Sequence, residues 1–368
     1  MKQMANAFAV QGRVLTVRPY GNGHIHQTYR VAVKTPDGIG YYILQKINTR
    51  VFPDPLRVME NIAVVTDHLR EKIRGRGGGD IRRRVLSVIP TRDQRSCLVT
   101  GEGEFWRMYA FIENSVSYDV LSSRDMIYQV GRRFGEFLDD MRDLPPERLP
   151  PAIPHFHDAP RRFDRFLTVL NRDPCRRRSG ARPEIEFLLS HRSLFGKIPD
   201  LVNRGQLRQT VTHNDTKVNN VLFDPDTGES LCVIDLDTVM PGVILFDFGD
   251  LARSSLGAVP EDETDLSRIR IRLPVFQSLL RGFLTPIRHW ISELEKELLF
   301  HSIQLMPTVI GMRFLTDYLE GDVYFKTQRP GHNLVRCRTQ FGLVRAIEAR
   351  REEMLGIQRE VLEELAGS

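Results

Sequence analysis

The sequence predicts an α+β protein with two lobes: a small, β-rich N-terminal lobe with one main helix, and a larger, mostly helical C-terminal lobe. Three observations indicate this division. Short apolar runs separated by glycine turns open the chain, helical periods dominate after about residue 117, and one short hairpin interrupts those helices near residues 221–234. We therefore expect two domains, residues 1–113 and residues 114–368.

The N-terminal lobe begins with a predicted meander of three strands, at residues 13–18, 28–34 and 41–46, which are rich in Val, Tyr and Ile. A helix should follow, because Asp54 and Pro55 suit its cap and first turn. The residues that recur on its inner face are mostly apolar: Val58, Met59, Ile62, Val65, Thr66 and Leu69. The glycine-rich stretch 75–79 is expected to be a loop, and strands resume at 85–89 and 106–112.

The C-terminal lobe should contain helices at 124–141, 160–171 and 183–195, separated by proline-rich segments. The exception is a hairpin, with strands 221–223 and 231–234 on either side of an Asp-Thr-Gly turn. The final run, 338–365, has apolar residues on helical faces and predicts core packing.

Composition limits the class of protein. The chain has 368 residues, 41% of them hydrophobic and 27% charged, as in ordinary globular proteins. It has no apolar run of about 18 residues, and its four cysteines are far apart, so we expect a cytoplasmic protein with reduced thiols and no membrane partner. The net charge is +5, but the arginine clusters 82–84 and 176–178 lack interleaved aromatic residues. They predict solvated loops and no nucleic-acid partner.

The strongest chemical signal is His213-Asn214-Asp215-Thr216-Lys217-Val218-Asn219-Asn220, which a second motif, Ile234-Asp235-Leu236-Asp237, follows after the hairpin. The spacing His-x-Asp-x-x-x-x-Asn is that of the protein-kinase catalytic loop. Phosphoryl transfer from ATP needs a carboxylate near the acceptor hydroxyl and oxygen ligands for Mg²⁺. We predict Asp215 as the catalytic base, Lys217 as a γ-phosphate contact, His213 as a brace of the loop, and Asn220 and Asp235 as metal ligands.

The letters Asp247-Phe248-Gly249 match the kinase magnesium motif, but the hairpin already provides a ligand at Asp235. We expect Asp247 and Asp250 to cap the next helix and to hydrogen-bond the catalytic loop.

These segments together resemble a known family. The sequences HNDTKVNNVLFD, CVIDLDTVMPG and FDFGDLAR are similar to those of aminoglycoside-phosphotransferase-like kinases. GNGHIHQTYRV, YYILQKIN, VMENI, GMRFLTDYLEGDVYFK and RTQFGLVRAIE extend the likeness to the N-acetylhexosamine 1-kinases. The resemblance implies a bilobal, protein-kinase-like fold that phosphorylates the anomeric hydroxyl of N-acetylglucosamine or N-acetylgalactosamine. The identity of the sugar depends on the resemblance alone.

In the N-terminal lobe, Gly21 and Gly23 are expected in a turn whose backbone amides approach phosphates; the alternative is a plain turn. Lys46 ends the third strand and Glu60 lies on the following helix, as expected for the pair that positions the α- and β-phosphates; the alternative is two unrelated surface residues. Backbone groups at 111–114, including Glu113, are the expected adenine-binding hinge.

For the acceptor sugar, we predict contacts from His24, Arg313, Asp317 and Tyr324. Polar and aromatic groups on and after one helix suit a polyhydroxylated ligand, but Arg313 and Asp317 at i and i+4 could also form a helix ion pair.

The predicted reaction is direct in-line transfer with Mg²⁺ as cofactor and ATP as co-substrate, in a monomer or weak homodimer. Other acceptors in the same superfamily stay open: another sugar, an amino alcohol such as choline, homoserine or an aminoglycoside. A nucleotide-binding scaffold without catalysis is disfavoured by the complete set of Asp215, Asn220 and Asp235. A protein kinase is disfavoured because no activation-loop features follow Asp247.

Overall fold

The computed structural model describes residues 1–21, 25–77, 79–121, 123–257 and 259–367. The chain divides into two compact units. The first comprises residues 1–116, 140–154 and 221–241, and the second comprises residues 117–139, 155–220 and 242–368. The predicted division at 113/114 stays a prediction about functional domains.

The helices, in chain order, are α1 Lys2–Asn6, α2 Pro55–Gly75, α3 Ile81–Arg84, α4 Arg124–Met141, α5 Ala159–Arg172, α6 Arg182–Ser190, α7 Lys197–Asn203, α8 Ile244–Leu256, α9 Leu273–Ile287, α10 Glu293–Glu320, α11 His332–Ala349 and α12 Arg351–Ala366. The strands are β1 Arg13–Pro19, β2 Gln27–Thr35, β3 Gly38–Lys46, β4 Val88–Ile89, β5 Leu98–Val99, β6 Phe105–Ala110, β7 Thr210–Thr212, β8 Val221–Phe223, β9 Ser230–Val233 and β10 Met240–Gly242.

The first unit is built on an antiparallel sheet of order β1-β2-β3-β6-β4, with β5 also paired to β6. The three predicted N-terminal strands are present. One sheet face carries the core cluster of this unit: Ala5, Phe8, Val10, Val14, Val31, Val33, Leu44, Trp106 and Met108. Because successive residues of a strand point to opposite faces, Gln45 of β3 and its cross-strand partner Arg107 of β6 lie on the other face.

Helix α2 begins as predicted. Asp54 accepts a hydrogen bond from the Arg57 amide and Pro55 follows it, which contributes about 1 kcal/mol to the helix. Its predicted apolar residues are buried.

The arginine cluster 82–84 corrects one expectation. It forms the one-turn helix α3, and Arg83 donates hydrogen bonds to Asp224 at 2.9 Å and to the Asn114 carbonyl at 2.7 Å. Arg83 therefore fastens the β8–β9 hairpin within the first unit and does not lie in a solvated loop.

The second unit is organised around α10, which packs against α5, α8 and α11. A capping box of Ser292 and Glu295 starts this helix. By length and composition α10 could cross a membrane, but 83% of its apolar window is buried within the protein, as in the core helix of a globular unit. Glycines allow close helix contacts: a Cβ at Gly131 of α4 would lie 2.5 Å from the Leu279 carbonyl oxygen of α9.

The final run, predicted to have apolar residues on helical faces, forms the two helices α11 and α12. One further detail differs from the expectations. Arg177, predicted in a solvated loop, bonds the Tyr318 carbonyl at 2.8 Å and Asp322 at 2.5 Å, so it holds the C-terminal end of α10.

Candidate active site

The predicted catalytic loop follows β7 directly. Asn214 adopts a left-handed backbone conformation (φ 65°), which reverses the chain before Asp215 and which Asn tolerates better than most residues. Inside the loop, the amides of Lys217 and Asn220 donate to the carbonyls of Asp215 and Lys217 at 2.9 and 3.0 Å. The loop is therefore a compact hydrogen-bonded turn that carries the four residues predicted in the catalytic motif, His213, Asp215, Lys217 and Asn220.

The carboxylate of Asp215 is paired with Lys217. Their Oδ1 and Nζ atoms are 2.7 Å apart, and the side chains keep 22% and 41% of their exposure. Burial opposes ionisation, but the charge of Lys217 outweighs it and holds the pKa of Asp215 below its ordinary value. Asp215 is therefore an ionised, accessible carboxylate that can accept a hydrogen bond from an acceptor hydroxyl.

The side chain of Asn220 bonds back to the start of the same turn. Its Nδ2 donates to the Asp215 carbonyl at 2.9 Å, so its Oδ1, the atom that could ligate Mg²⁺, takes no part in that bond.

His213 and Asp247 support the loop from the interior of the second unit. His213 is fully buried against the rings of Phe134 and Phe137, at centroid distances of 5.4 and 5.7 Å. The Asp247 carboxylate accepts the backbone amides of His213 at 2.9 Å and Asn214 at 2.7 Å. Burial raises the pKa of Asp247 to about 7. The predicted bond from Asp247 to the catalytic loop is present.

The residue types at Asp247-Phe248-Gly249 are explained by hydrogen bonding and by packing within the second unit. Phe248 is buried against Phe283, and a Cβ at Gly249 would lie 2.4 Å from the Ser302 carbonyl oxygen of α10. The predicted cap is wrong, because Asp247 and Asp250 lie inside α8 and Val243 is its N-cap residue.

Asp235 lies in the first unit, two residues after β9 ends, and has a left-handed backbone (φ 60°). Two residues later, Asp237 is only 2% exposed and forms a two-pronged ion pair with equally buried Arg107. Its Oδ2 also accepts a hydrogen bond from His26 Nε2 at 2.6 Å. Burial alone would raise the pKa of Asp237, but Arg107 and His26 hold it well below its ordinary range.

The predicted pair of Lys46 and Glu60 does not form. Lys46 pairs with Glu104, which also accepts from the Trp106 indole, whereas Glu60 is exposed on α2. The physical reason is strand alternation: Lys46 shares its face with Leu44 and not with Gln45. The neighbouring Asn61 is buried, whereas Glu60 is exposed.

Gly21 has φ 74°, a conformation that favours glycine, and among the described residues no atom lies within 4 Å of where its Cβ would be. The preceding Tyr20 contacts Phe111 edge to face, with centroids 5.8 Å apart. The glycine turn therefore begins close to the segment 111–114, where Glu113 is exposed. Gly23 and His24 lie outside the described residues.

In the second unit, Arg313 of α10 lies among three aromatic rings. Its guanidinium is 5.4–5.9 Å from the centroids of Phe156, Tyr324 and Phe325, and Tyr324 is 51% exposed. Next to Phe156, His157 Nε2 bonds the Asn214 carbonyl at 3.0 Å. Arg313 and these three rings form an arginine–aromatic cluster. The adjacent residues Phe156 and His157 connect this cluster to the catalytic loop.

Asp317 does not pair with Arg313. Its carboxylate accepts the backbone amides of Val323, Tyr324 and Phe325 at 2.8–3.0 Å and the Asn333 side chain at 2.9 Å. At 2% exposure, Asp317 shapes the turn that presents Tyr324. Its direct contact with a sugar stays a prediction that these bonds disfavour.

Within the described ranges, no group of three or more His, Cys, Asp or Glu side chains is arranged to hold a metal. The predicted magnesium ligands are only two side chains, one amide and one carboxylate. In kinases the remaining ligands of Mg²⁺ are phosphate oxygens and water.

Sequence reasoning missed Arg107, His26 and His157. Arg107 had a signal: it is the one charged residue in the apolar run Phe105–Ala110, and a charge inside a buried strand needs a partner. No local pattern identifies His26 or His157, since their partners are 211 and 57 residues away.

Comparison with known proteins adds two findings. The profile of the phosphotransferase enzyme family APH matches residues 16–272, well over half of the chain. Among solved structures, spectinomycin phosphotransferase in complex with ADP and spectinomycin superposes with a TM-score of 0.56 at 13% identity, covering 91% of this chain and 94% of that one.

A candidate aminoglycoside phosphotransferase from Ralstonia eutropha gives a TM-score of 0.54 at 13% identity, covering 95% and 96% of the two chains. The Plasmodium vivax ethanolamine kinase gives 0.51 at 11% identity, covering 89% and 82%. At these identities the likeness is one of fold, and it confirms the predicted protein-kinase-like α+β class.

Proposed function

The chain belongs to the APH phosphotransferase enzyme family, and from that premise we propose that it transfers the γ-phosphoryl group of ATP to the anomeric hydroxyl of an N-acetylhexosamine. The observation that carries the chemistry is the catalytic loop: an ionised, accessible Asp215 beside Lys217, on a turn fixed by Asp247. Phosphoryl transfer needs little more from the protein than positioning and charge neutralisation.

In this proposal Asp215 orients the sugar hydroxyl and accepts its proton, and Lys217 moves from Asp215 towards the transferred phosphoryl group. Asn220 and Asp235 are proposed as magnesium ligands on the sequence motif. The bound Mg²⁺ would neutralise the phosphate charge. Gly21 and Glu113 remain in the proposed nucleotide site, whereas Lys46 and Glu60 leave it because their predicted pair does not form.

The arginine–aromatic cluster supports a neutral acceptor. Arg162 donates to the Phe156 carbonyl, and burial together with the charge of Arg313 lowers the pKa of Arg162 to about 9. Two arginines thus lie close enough to repel each other, and Arg313 occupies the ring faces that could otherwise bind an ammonium group. A cationic acceptor such as choline, ethanolamine or an aminoglycoside would be repelled.

Arginine donors and an exposed tyrosine instead suit hydroxyl and carbonyl oxygens, which an N-acetylhexosamine offers. The choice of N-acetylglucosamine or N-acetylgalactosamine depends on the sequence resemblance, as does the anomeric position. A cytoplasmic location is part of the same proposal.

The test is ATP consumption over a panel of N-acetylhexosamines, other sugars, choline, ethanolamine, homoserine and aminoglycosides, with phosphorus-coupled NMR of the product. We expect turnover with N-acetylglucosamine or N-acetylgalactosamine and a phosphate on the anomeric carbon. A 6-phosphate product, or equal use of a 1-deoxy sugar, would contradict the proposed position. Preference for a cationic acceptor would contradict the proposed class.

A further inference from the structure

Either carboxylate of Asp235-Leu236-Asp237 could ligate a metal by sequence, and the structure shows what holds the carboxylate of Asp237. Both oxygens of Asp237 are already bonded: Oδ1 to Arg107 Nη1, and Oδ2 to Arg107 Nη2 at 2.8 Å and to His26 Nε2 at 2.6 Å. Arg107 is fixed in turn by Gln45, whose Oε1 accepts from its Nε at 2.9 Å.

The hydrogen bond at Nδ1 of His26 determines the tautomer of its ring. Nδ1 accepts the Asn48 backbone amide at 3.1 Å and is therefore unprotonated, so Nε2 carries the hydrogen and donates it to Asp237. The ring also stacks on Phe52, with centroids 5.4 Å apart. His26 is thus a neutral donor in a fixed orientation, and Arg107 supplies the charge that balances Asp237.

The same segment is held a second time further along the chain. Asn61 of α2 donates to the carbonyl of Val239 at 3.4 Å and to that of Pro150 at 2.9 Å. Asp235 lies just before these anchors and adopts the left-handed conformation that starts the turn 236–238. The turn that begins at Asp235 is therefore anchored at Asp237 and again at Val239.

We propose that Arg107, His26 and Asp237 are positioning residues for magnesium: they fix the turn that carries Asp235, and Asp237 is not itself a metal ligand. The inference relies on the proposed function for one point, the role of Asp235 as a magnesium ligand. A buried ion pair contributes little net stability, because desolvation of both charges offsets their attraction. A buried pair two residues from Asp235 is instead well suited to fixing geometry, as outer-shell partners of metal ligands do.

The test measures metal binding without turnover. Mn²⁺ is titrated into the protein saturated with ADP, and free Mn²⁺ is followed by electron paramagnetic resonance. The main variant is the double substitution Arg107→Met/Asp237→Leu, which removes both charges and can keep the fold. We expect its dissociation constant for Mn²⁺ to rise by about 10–100-fold, with Asp235→Asn as the reference for a lost ligand.

Arg107→Met alone separates two explanations. If Asp237 is an anchor, losing Arg107 weakens Mn²⁺ binding; if Asp237 is a ligand that Arg107 occupies, binding becomes tighter, which would overturn the inference. Lys72→Met is the matched control, since it removes the ion pair with Asp143 of the same unit and should leave Mn²⁺ binding unchanged.

Unchanged Mn²⁺ affinity in a folded double variant would also overturn the inference. If the double variant does not fold, Arg107→Lys keeps the charge but loses the two-pronged geometry, and the same weakening is expected. Because no acceptor is present, failure here is distinct from failure of the sugar-kinase proposal, which would show as no turnover on the acceptor panel.

Discussion

Two ion pairs, one in each unit, show how the same chemical groups serve different purposes. Asp215 and Lys217 lie two residues apart in one loop, and both side chains are partly exposed. Asp237 and Arg107 are 130 residues apart, each 2% exposed, and joined by two parallel hydrogen bonds. Each pair lies beside an Asn or Asp with a left-handed backbone, Asn214 in one case and Asp235 in the other.

The difference indicates which carboxylate can react. A partly exposed lysine on a flexible side chain can exchange its partner for a phosphate at little cost. A buried arginine that forms a bidentate pair cannot leave its carboxylate, because the carboxylate would then be a buried charge without a partner. We therefore expect Asp215–Lys217 to be an exchangeable pair and Asp237–Arg107 to be a permanent one.

The largest effect should follow from Asp215→Asn, which removes the reactive carboxylate. We expect kcat to fall by about 10²–10⁴-fold, the range typical of losing a general base, with ATP affinity scarcely changed. Steady-state kinetics and calorimetry with ATP measure the two quantities. If ATP binding is lost together with the rate, Asp215 would have to be reassigned as a metal ligand.

The second prediction contrasts the two cations directly. Arg107→Met should lower the free energy of unfolding by about 3–5 kcal/mol, because it leaves Asp237 buried without its charge partner. Lys217→Met should lower it by less than about 1 kcal/mol, because its pair is partly exposed, yet it should reduce kcat. Denaturant unfolding of both variants tests the contrast. Equal losses of stability would remove the distinction between exchangeable and permanent pairs.

Much of this architecture could be predicted from the sequence because the signals are local. The strands β1–β3 follow from alternation and glycine turns, and α2 from its cap and apolar period. The sequence predicts a catalytic loop at 213–220 because the spacing His-x-Asp-x-x-x-x-Asn lies within eight residues.

The long-range contacts could not be predicted in the same way. The expected partner of Lys46 was Glu60, but side-chain direction in β3 and the pairing of β3 with β6 bring Glu104 to it. Likewise, Arg313 and Asp317 have helix-pair spacing, but the turn after α10 supplies three amides that bind Asp317 more completely than one arginine would. In both cases tertiary hydrogen bonds prevail over spacing.

The third prediction extends the comparison from catalysis to acceptor binding. Arg313→Ala should raise the KM for the sugar by about 10–100-fold, the loss expected for a charge-assisted hydrogen bond, with the KM for ATP nearly unchanged. Arg165→Ala is the control, because Arg165 pairs with Glu320 on the exposed surface of the same unit. An unchanged sugar KM for Arg313→Ala would exclude it from the acceptor site.

The smallest effect on activity should come from Asp247, the buried carboxylate that bonds the backbone of the catalytic loop. Asp247→Asn places an NH₂ group against the amides of His213 or Asn214 and should lower the free energy of unfolding by about 1–2 kcal/mol, without changing the dependence of activity on Mg²⁺. A large change in the dependence of activity on Mg²⁺ would indicate that Asp247 is a metal ligand.

The pH dependence of that stability provides the sharper measurement. Since burial raises the pKa of Asp247 to about 7, the folded protein retains a proton that the unfolded chain releases near pH 4. This contribution to stability is complete below about pH 4 and is lost as the pH rises through 7. The Asn variant has no such proton, so the stability advantage of the wild type should narrow between pH 4 and 7 in denaturant unfolding. An advantage that widens over this interval would mean that the two amide hydrogen bonds outweigh burial and keep Asp247 ionised.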